Sequence, residues 1–248
     1  MRTASILDVH FHAVTLPEAV DTAMARIRAH QQGYVVTPNP EIVELCRKDD
    51  ELRGIVNHAA LVLPDGIGIY YGAKILGEPL EGRVPGIEFG EALIAAMAKE
   101  NMRLYLLGAK PGFAEKAGKN LCNKYPGLVL AGCHDGYFSD AQEVVDAINS
   151  VGGADVVFVC LGAPKQEKFI AAHMEEIHGT LFCGLGGSLD VFAGEAKRAP
   201  KIFIKLGLEW FYRLLCQPSR IGRMMKLPKF LFLVIGQRMS RGKGKKKL

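Results

Sequence analysis

The chain has 248 residues, 49% hydrophobic and 23% charged, which suits one or two globular domains and excludes a fibrous or low-complexity chain. Its net charge of +5 is unevenly spread: residues 197–248 hold 15 Lys and Arg against one acid, Glu209, a net +14 that leaves −9 on residues 1–196. An acidic body with a basic end points to an anionic partner, either a membrane surface or a nucleic acid.

Six cysteines, at 46, 122, 133, 160, 183 and 216, form no Cys-x-x-Cys pair and mostly stand in apolar runs. That pattern favours free buried thiols in a reducing compartment over disulfides or zinc. The first ten residues carry no apolar stretch of the secretory type. The late apolar run at 230–236 is far shorter than the roughly 20 residues that span a bilayer. A cytoplasmic location is therefore expected.

In chain order, residues 6–11 read as a first strand and 17–31 as a helix with Pro17 near its start. A strand at 34–37 runs into Pro38-Asn39-Pro40, whose prolines force an extended backbone and should present Thr37 and Asn39 as exposed polar groups. Short helices at 41–48 and 50–57 lead to a strand at 61–63. Pro64 ends that strand, and Asp65 follows between Pro64 and the side-chain-free Gly66 and Gly68. A helix at 67–76 precedes a second Gly/Pro-rich loop carrying Arg83, and a long helix follows at 87–101. An acid and an arginine on two loops held by turn residues suit an active site on an α/β scaffold. The alternative is that Asp65 caps a helix and Arg83 is a solvated loop charge.

Strand–helix alternation then becomes regular. Strands are expected at 103–108, ending in Gly108, at 128–133, at 154–162, ending in Gly162, and at 180–183, with helices between them. This is a doubly wound, mostly parallel α/β sheet of the Rossmann-like kind, in which ligands bind beyond the C-terminal strand ends. Thr37, Asn39, Asp65, Gly108, Tyr137, Lys165 and Gln166 should share that edge. Gly162-Ala-Pro-Lys-Gln-Glu combines a strand-end glycine with a helix start, a good place for a phosphate or sugar hydroxyl; a plain helix start with solvated Lys165 and Gln166 is the alternative.

From about Lys197 the pattern changes. Phe203, Leu206, Trp210, Phe211 and Leu214 recur at helical spacing, Arg220, Arg223 and Lys226 follow at threes, and the end is Lys-rich. A boundary near 195 would separate an α/β core, 1–195, from a basic amphipathic, membrane-associating appendage, 196–248, with a disordered end.

Gly66-x-Gly68 and Gly184-x-Gly186 are weak dinucleotide fingerprints, since neither has the full glycine set with its downstream acid. No Asp-x-Asp is present, and the seven histidines are scattered, so a metal-independent reaction run on a carboxylate is expected, with no cofactor. Ser188 stands in Gly-Gly-Ser-Leu-Asp without the nucleophile-elbow pattern.

Thr37-Pro-Asn-Pro-Glu, Leu63-Pro-Asp-Gly-Ile-Gly, Arg83-Val-Pro-Gly and Gly162-Ala-Pro-Lys-Gln-Glu occur in order, followed by Gly186-Gly-Ser-Leu-Asp-Val-Phe-Ala-Gly, Lys197-Arg-Ala-Pro and Gly207-Leu-Glu-Trp-Phe-Tyr-Arg-Leu. Together these motifs closely resemble the WecG/TagA/CpsF glycosyltransferases over roughly residues 5–235. The resemblance implies an inverting, metal-independent transfer of N-acetylmannosamine from a UDP-sugar donor. The implied acceptor is N-acetylglucosamine on undecaprenyl diphosphate, met at the inner face of the cell membrane during teichoic-acid synthesis.

The resemblance makes Asp65 the general base, Thr37 and Asn39 the acceptor-side loop, Arg83 a phosphate-contacting or catalytic arginine and Gln166 a donor-site residue. Gly108, Tyr137, Gly162, Lys165 and Asp190 join the substrate-binding set. Arg213, Arg220 and Arg223 fall in an appendage that would close over the site and touch an anionic membrane surface. Ala163 departs from the larger apolar residue of many members. Self-association is compatible with such a tail. Three other readings stay open: a transferase of the corresponding uronic acid, a nicotinamide oxidoreductase, and a nucleic-acid-binding protein using the basic end.

Overall fold

The computed structural model describes residues 1–200, 202–203, 208–216 and 226–244, without the side chains of Glu209, Trp210, Arg213, Cys216 and 241–244. The chain begins with a hairpin, β1 (Thr3–Ile6) and β2 (Val9–His12), rather than the single strand expected over 6–11. Leu7 and Asp8 take φ of 49° and 64°, the left-handed pair that a two-residue hairpin turn requires. Ala4, Ile6, Val9 and Phe11 alternate inward and are fully buried.

Next come α1 (Leu16–Arg28), β3 (Gly33–Val36), α2 (Pro40–Cys46), α3 (Asp50–His58), β4 (Leu61–Val62), α4 (Ile67–Leu76) and α5 (Gly86–Ala98). They are followed by β5 (Arg103–Gly108), α6 (Phe113–Lys124), β6 (Val129–His134), α7 (Ala141–Ser150), β7 (Ala154–Cys160), α8 (Lys165–His173), β8 (Gly179–Gly184) and the short α9 (Ser188–Phe192). The described C-terminal helices are α10 (Glu209–Cys216) and α11 (Lys226–Gly244). Local chemistry sets several starts. Thr15 and Glu18 form a reciprocal capping box on α1, Asn39 caps α2 and Asp140 caps α7.

Strands β3 to β8 form one sheet in the order β4-β3-β8-β7-β5-β6, parallel at every pairing. Both faces are covered. Helices α2, α3, α4, α7 and α8 pack on one side with α11, and α1, α5, α6 and α9 on the other. Crossings from β3 to β4, β6 to β7 and β7 to β8 all use the first face, while those from β5 to β6 and, through α5, from β4 to β5 use the second. Opposite directions on opposite faces are what a single crossover hand demands. The expected doubly wound sheet is therefore the observed one. Its β4 edge is covered by the hairpin, where His12 Nδ1 accepts the Val62 N–H at 2.9 Å. Burial holds the His12 imidazole below its usual pKa, in keeping with that acceptor role.

The apolar run near the C-terminus divides between two environments. Phe230 and Val234 are completely buried against α4, with the edge of the Phe230 ring 3.2 Å from where a Cβ on Gly72 would stand. Phe232, Ile235 and Met239 point outward, Phe232 at 75% exposure. A continuous apolar run wound at 3.6 residues per turn must offer side chains to both directions. Burying Phe230 and Val234 contributes about 1.5–3 kcal/mol each, so this helix is held by the core and does not consist only of a surface-seeking patch.

Candidate active site

The loops that follow β3 and β4, and the Arg83 loop before α5, are stitched together by backbone hydrogen bonds. Asp65 N–H donates to the Pro38 carbonyl at 3.2 Å, and Val84 N–H donates to the Pro64 carbonyl at 2.8 Å. Each loop is thus registered on its neighbour: Asp65 is itself a bonded position, and Arg83 is one residue from one. Asp65 and Arg83 are both half-buried. Helix α4 takes Gly66 as its N-cap, at φ 84°, so Asp65 stands one residue outside the cap. A side chain at Gly66 would be strained there, and Gly68 has no room for a Cβ beside Pro40 and Leu227.

Thr37 is buried, contrary to the exposed position expected for it. Its hydroxyl donates to the Gly184 carbonyl at 3.1 Å, and Gly86 packs on it so closely that a Cβ would stand 2.9 Å from Oγ1. The reason is strand order: β8 pairs with β3, which the chain order of the motifs does not reveal. Asn39 is half-buried, and its Oδ1 accepts from the N–H groups of Glu41 and Ile42 at 2.9 and 3.1 Å. That oxygen is committed to capping α2, so the side-chain amide donors are what Asn39 can offer a ligand.

On the other half of the same edge, Gly108, at φ 132°, lies so near β7 that a Cβ would stand 2.4 Å from the Cys160 carbonyl oxygen. Gly162 and Gly186, at φ 76° and 55°, face open space at the Cβ position. Lys165 is exposed; its Nζ donates to the Gly136 carbonyl at 3.2 Å and lies 4.3 Å from the centre of the Phe138 ring. Tyr137 is 71% exposed beside it, in a turn where its N–H donates to Asp135 Oδ1. Asp190 lies in the first turn of α9, directly beyond β8.

Gln166, by contrast with Lys165, is only 2% exposed. Its Oε1 accepts the Gly186 N–H at 3.0 Å, and its Nε2 donates to Glu167 Oε1 at 2.8 Å. The solvated-Gln166 alternative is therefore excluded. The two halves of the edge are joined through β8: Gln166 holds the loop at Gly186, Thr37 holds Gly184, and the stitched loops carry on to Asp65 and Arg83.

Two features escaped the motif reading. Glu167, the last residue of the Gly162-Ala-Pro-Lys-Gln-Glu motif, has its carboxyl fully buried directly behind Gln166; an acid following a polar helix-start residue is the only sign of it in the sequence. The other is the pair of acids that receive α11. Lys226 Nζ meets Glu41 Oε1 at 2.7 Å and Lys229 Nζ meets Glu44 Oε2 at 3.0 Å. Leu227 lies over Gly68 and Pro40, so the start of α11 borders the Asn39 and Asp65 loops. Arg198 of the Lys-Arg-Ala-Pro motif pairs with Glu88 on α5. Arg220 and Arg223 lie outside the described residues, as do the side chains of Arg213 and Trp210, although both of the latter belong to α10.

Residues 4–244 match the glycosyl transferase WecG/TagA/CpsF family. Three similar proteins carry the name N-acetylglucosaminyldiphosphoundecaprenol N-acetyl-beta-D-mannosaminyltransferase. One from Bacillus subtilis is 34% identical over 236 residues, covering 95% of this chain and 92% of its own. One from Staphylococcus aureus is 35% identical over 231 residues, covering 92% and 91%. One from Bacillus spizizenii is 37% identical over 203 residues, covering 82% and 79%. With these matches running through every loop of the strand-end cluster, the chain belongs to the WecG/TagA/CpsF family of glycosyltransferases.

Proposed function

We propose that the protein transfers N-acetylmannosamine from a UDP donor to N-acetylglucosamine on undecaprenyl diphosphate, forming the linkage unit of a teichoic-acid-type wall polymer. The observation that carries this reading is the name shared by relatives aligned over more than nine-tenths of the chain, together with an acid and an arginine on mutually bonded loops at the strand ends.

The reaction is a single displacement. The acceptor hydroxyl oxygen attacks the anomeric carbon as Asp65 takes its proton, and the bond to UDP breaks with inversion. The leaving diphosphate needs cations, which Arg83 and the C-terminal Arg213, Arg220 and Arg223 would supply through charge-assisted hydrogen bonds. Asn39 amide donors would orient the acceptor. The Gly108, Gly162, Lys165 and Gln166 edge, with Tyr137 and Asp190, would hold the donor. The outward Phe232, Ile235 and Met239, set among basic residues of α11, suit an anionic membrane surface, which supports a working position on the inner face of the membrane, where such an acceptor would be anchored. No described helix is long and apolar enough to cross a membrane.

Product analysis with a short-chain lipid-diphosphate N-acetylglucosamine acceptor and a panel of UDP-sugars tests this reading. The expected product is the β-linked N-acetylmannosamine disaccharide. Transfer of the corresponding uronic acid instead would establish the other branch of the chemistry, and no transfer from any UDP-sugar would overturn the proposal.

A further inference from the structure

Gln166 and Glu167 begin α8 with an arrangement that the proposed chemistry does not itself require. Glu167 is 0% exposed, and its Oε2 has no hydrogen-bond partner among the described residues. Its Oε1 accepts from Gln166 Nε2, and Gln166 Oε1 accepts the N–H of Gly186. A side-chain amide has two orientations related by a flip, and here only one is compatible with its neighbours. The Gly186 N–H can only donate, so it must meet the oxygen. An acceptor on the other side rewards the NH₂ and penalises the flipped form, which would set two oxygens against each other. A Cβ at Gly184 would stand 3.0 Å from Gln166 Nε2, so any side chain there would press on the amide.

The geometry points to Glu167 as a positioning residue for the donor site: it locks the Gln166 amide, and through it the Gly184–Gly186 loop, in the form that receives the nucleotide-sugar. The loop concerned is the one whose Gly186 faces open space at the Cβ position and whose Gly184 carbonyl also holds Thr37. Buried unpaired acid costs stability, and burial pushes the Glu167 carboxyl above the usual carboxylate range. A residue kept only for packing would be better served by an apolar side chain of the same length. This inference rests on the reading of the edge as a UDP-sugar site.

The test compares Glu167→Met, Glu167→Gln and Gly184→Ala with wild type, measuring donor KM, acceptor KM, kcat, UDP affinity by calorimetry and urea stability. Glu167→Met removes the buried acid but leaves the Gln166 amide N–H without its acceptor; it should remain folded, and its donor KM should rise about tenfold or more with acceptor KM unchanged, as displacement of a positioned group predicts. Glu167→Gln, which retains an acceptor oxygen, should recover most of that loss. Gly184→Ala presses the same amide from the other side and should move donor KM in the same direction, deciding the matter if the methionine variant does not fold. Wild-type donor KM and UDP affinity in folded Glu167→Met would overturn the inference. If wild type binds UDP but transfers no sugar, the transfer reading falls while the UDP affinities of the variants still decide the role of Glu167. Failure of wild type to bind UDP would overturn both.

Discussion

Lys229, in the first turn of α11, holds its Nζ 3.0 Å from Oε2 of Glu44, a carboxylate that α2 leaves only 7% exposed. Arg47 contacts the other oxygen at 3.1 Å. A helix from the most basic part of the chain is thus latched to the acidic body by a pair whose acid is nearly buried and whose lysine is exposed. Burial alone would raise the Glu44 carboxyl, but hydrogen bonds and charge from Lys229 and Arg47 outweigh it and hold the group below its ordinary 4.5. A lowered folded-state value means the contribution is present above pH 4.5 and is lost as pH falls through the folded value. Lys229→Ala should cost about 1–2 kcal/mol at pH 7, between an exposed and a buried pair. Urea unfolding at pH 7 and pH 4 should show that difference shrinking in acid; a pH-independent difference would mean the latch is not electrostatic.

The two faces of α11 should separate cleanly by mutation. Phe230→Ala removes a fully buried ring and should cost about 3–5 kcal/mol. Phe232→Ser, at an exposed site, should change stability by no more than about 0.5 kcal/mol while reducing sedimentation with anionic vesicles. Unchanged vesicle binding in a Phe232→Ser, Ile235→Ser double variant would remove this face from the membrane contact. Truncation after Glu195 would not be a clean test of membrane binding, because it strips Phe230 and Val234 from the core.

Gly68→Ala should uncouple α11 from the Asn39 and Asp65 loops. The added methyl would stand 2.5 Å from Leu227 Cδ1 and 2.6 Å from the Pro40 ring, and the ring cannot turn away. Overpacking of this kind costs about 1–3 kcal/mol. Since Pro40 adjoins Asn39, acceptor KM should rise more than UDP affinity falls. A variant with normal acceptor kinetics would place the acceptor elsewhere.

Asp65→Asn should fold and bind UDP as wild type does while turnover falls at least about 100-fold, the low end for a lost general base. Turnover within a few-fold of wild type would return Asp65 to a structural role in the Pro38–Pro64 loop pair.

Transfer should survive exhaustive EDTA treatment, because arginines rather than a metal ion are assigned to the leaving diphosphate. Loss of activity restored by Mg²⁺ or Mn²⁺ would show that the charge is neutralised differently, and the substitution Arg83→Lys would then have little effect.

The sequence by itself determined the α/β class, the strand ends and most of the edge: alternating apolar runs closed by Gly108 and Gly162 announce parallel strands, and a chain with Pro64-Asp65-Gly66 after such a run leaves an acid at a turn. These are local properties, fixed by side-chain period and by what glycine and proline allow the backbone to do. Tertiary structure decided the rest. Thr37 turns inward because β8, some 150 residues later, pairs with β3. The strand expected at 6–11 is split by a hairpin turn because Leu7 joins Asp8 in left-handed backbone, which aspartate tolerates but leucine does not advertise. Gln166 is buried while adjacent Lys165 is not, since only one side of the first turn of α8 meets the Gly184–Gly186 loop. The 230–235 run shows the same limit: its hydrophobicity is legible, but which face is core depends on Gly72 and Glu44, residues brought to it only by the closing of the chain. Pairings between distant segments carry no periodic signal in either segment, because each contact is a property of two stretches whose separation in the chain the pattern cannot encode.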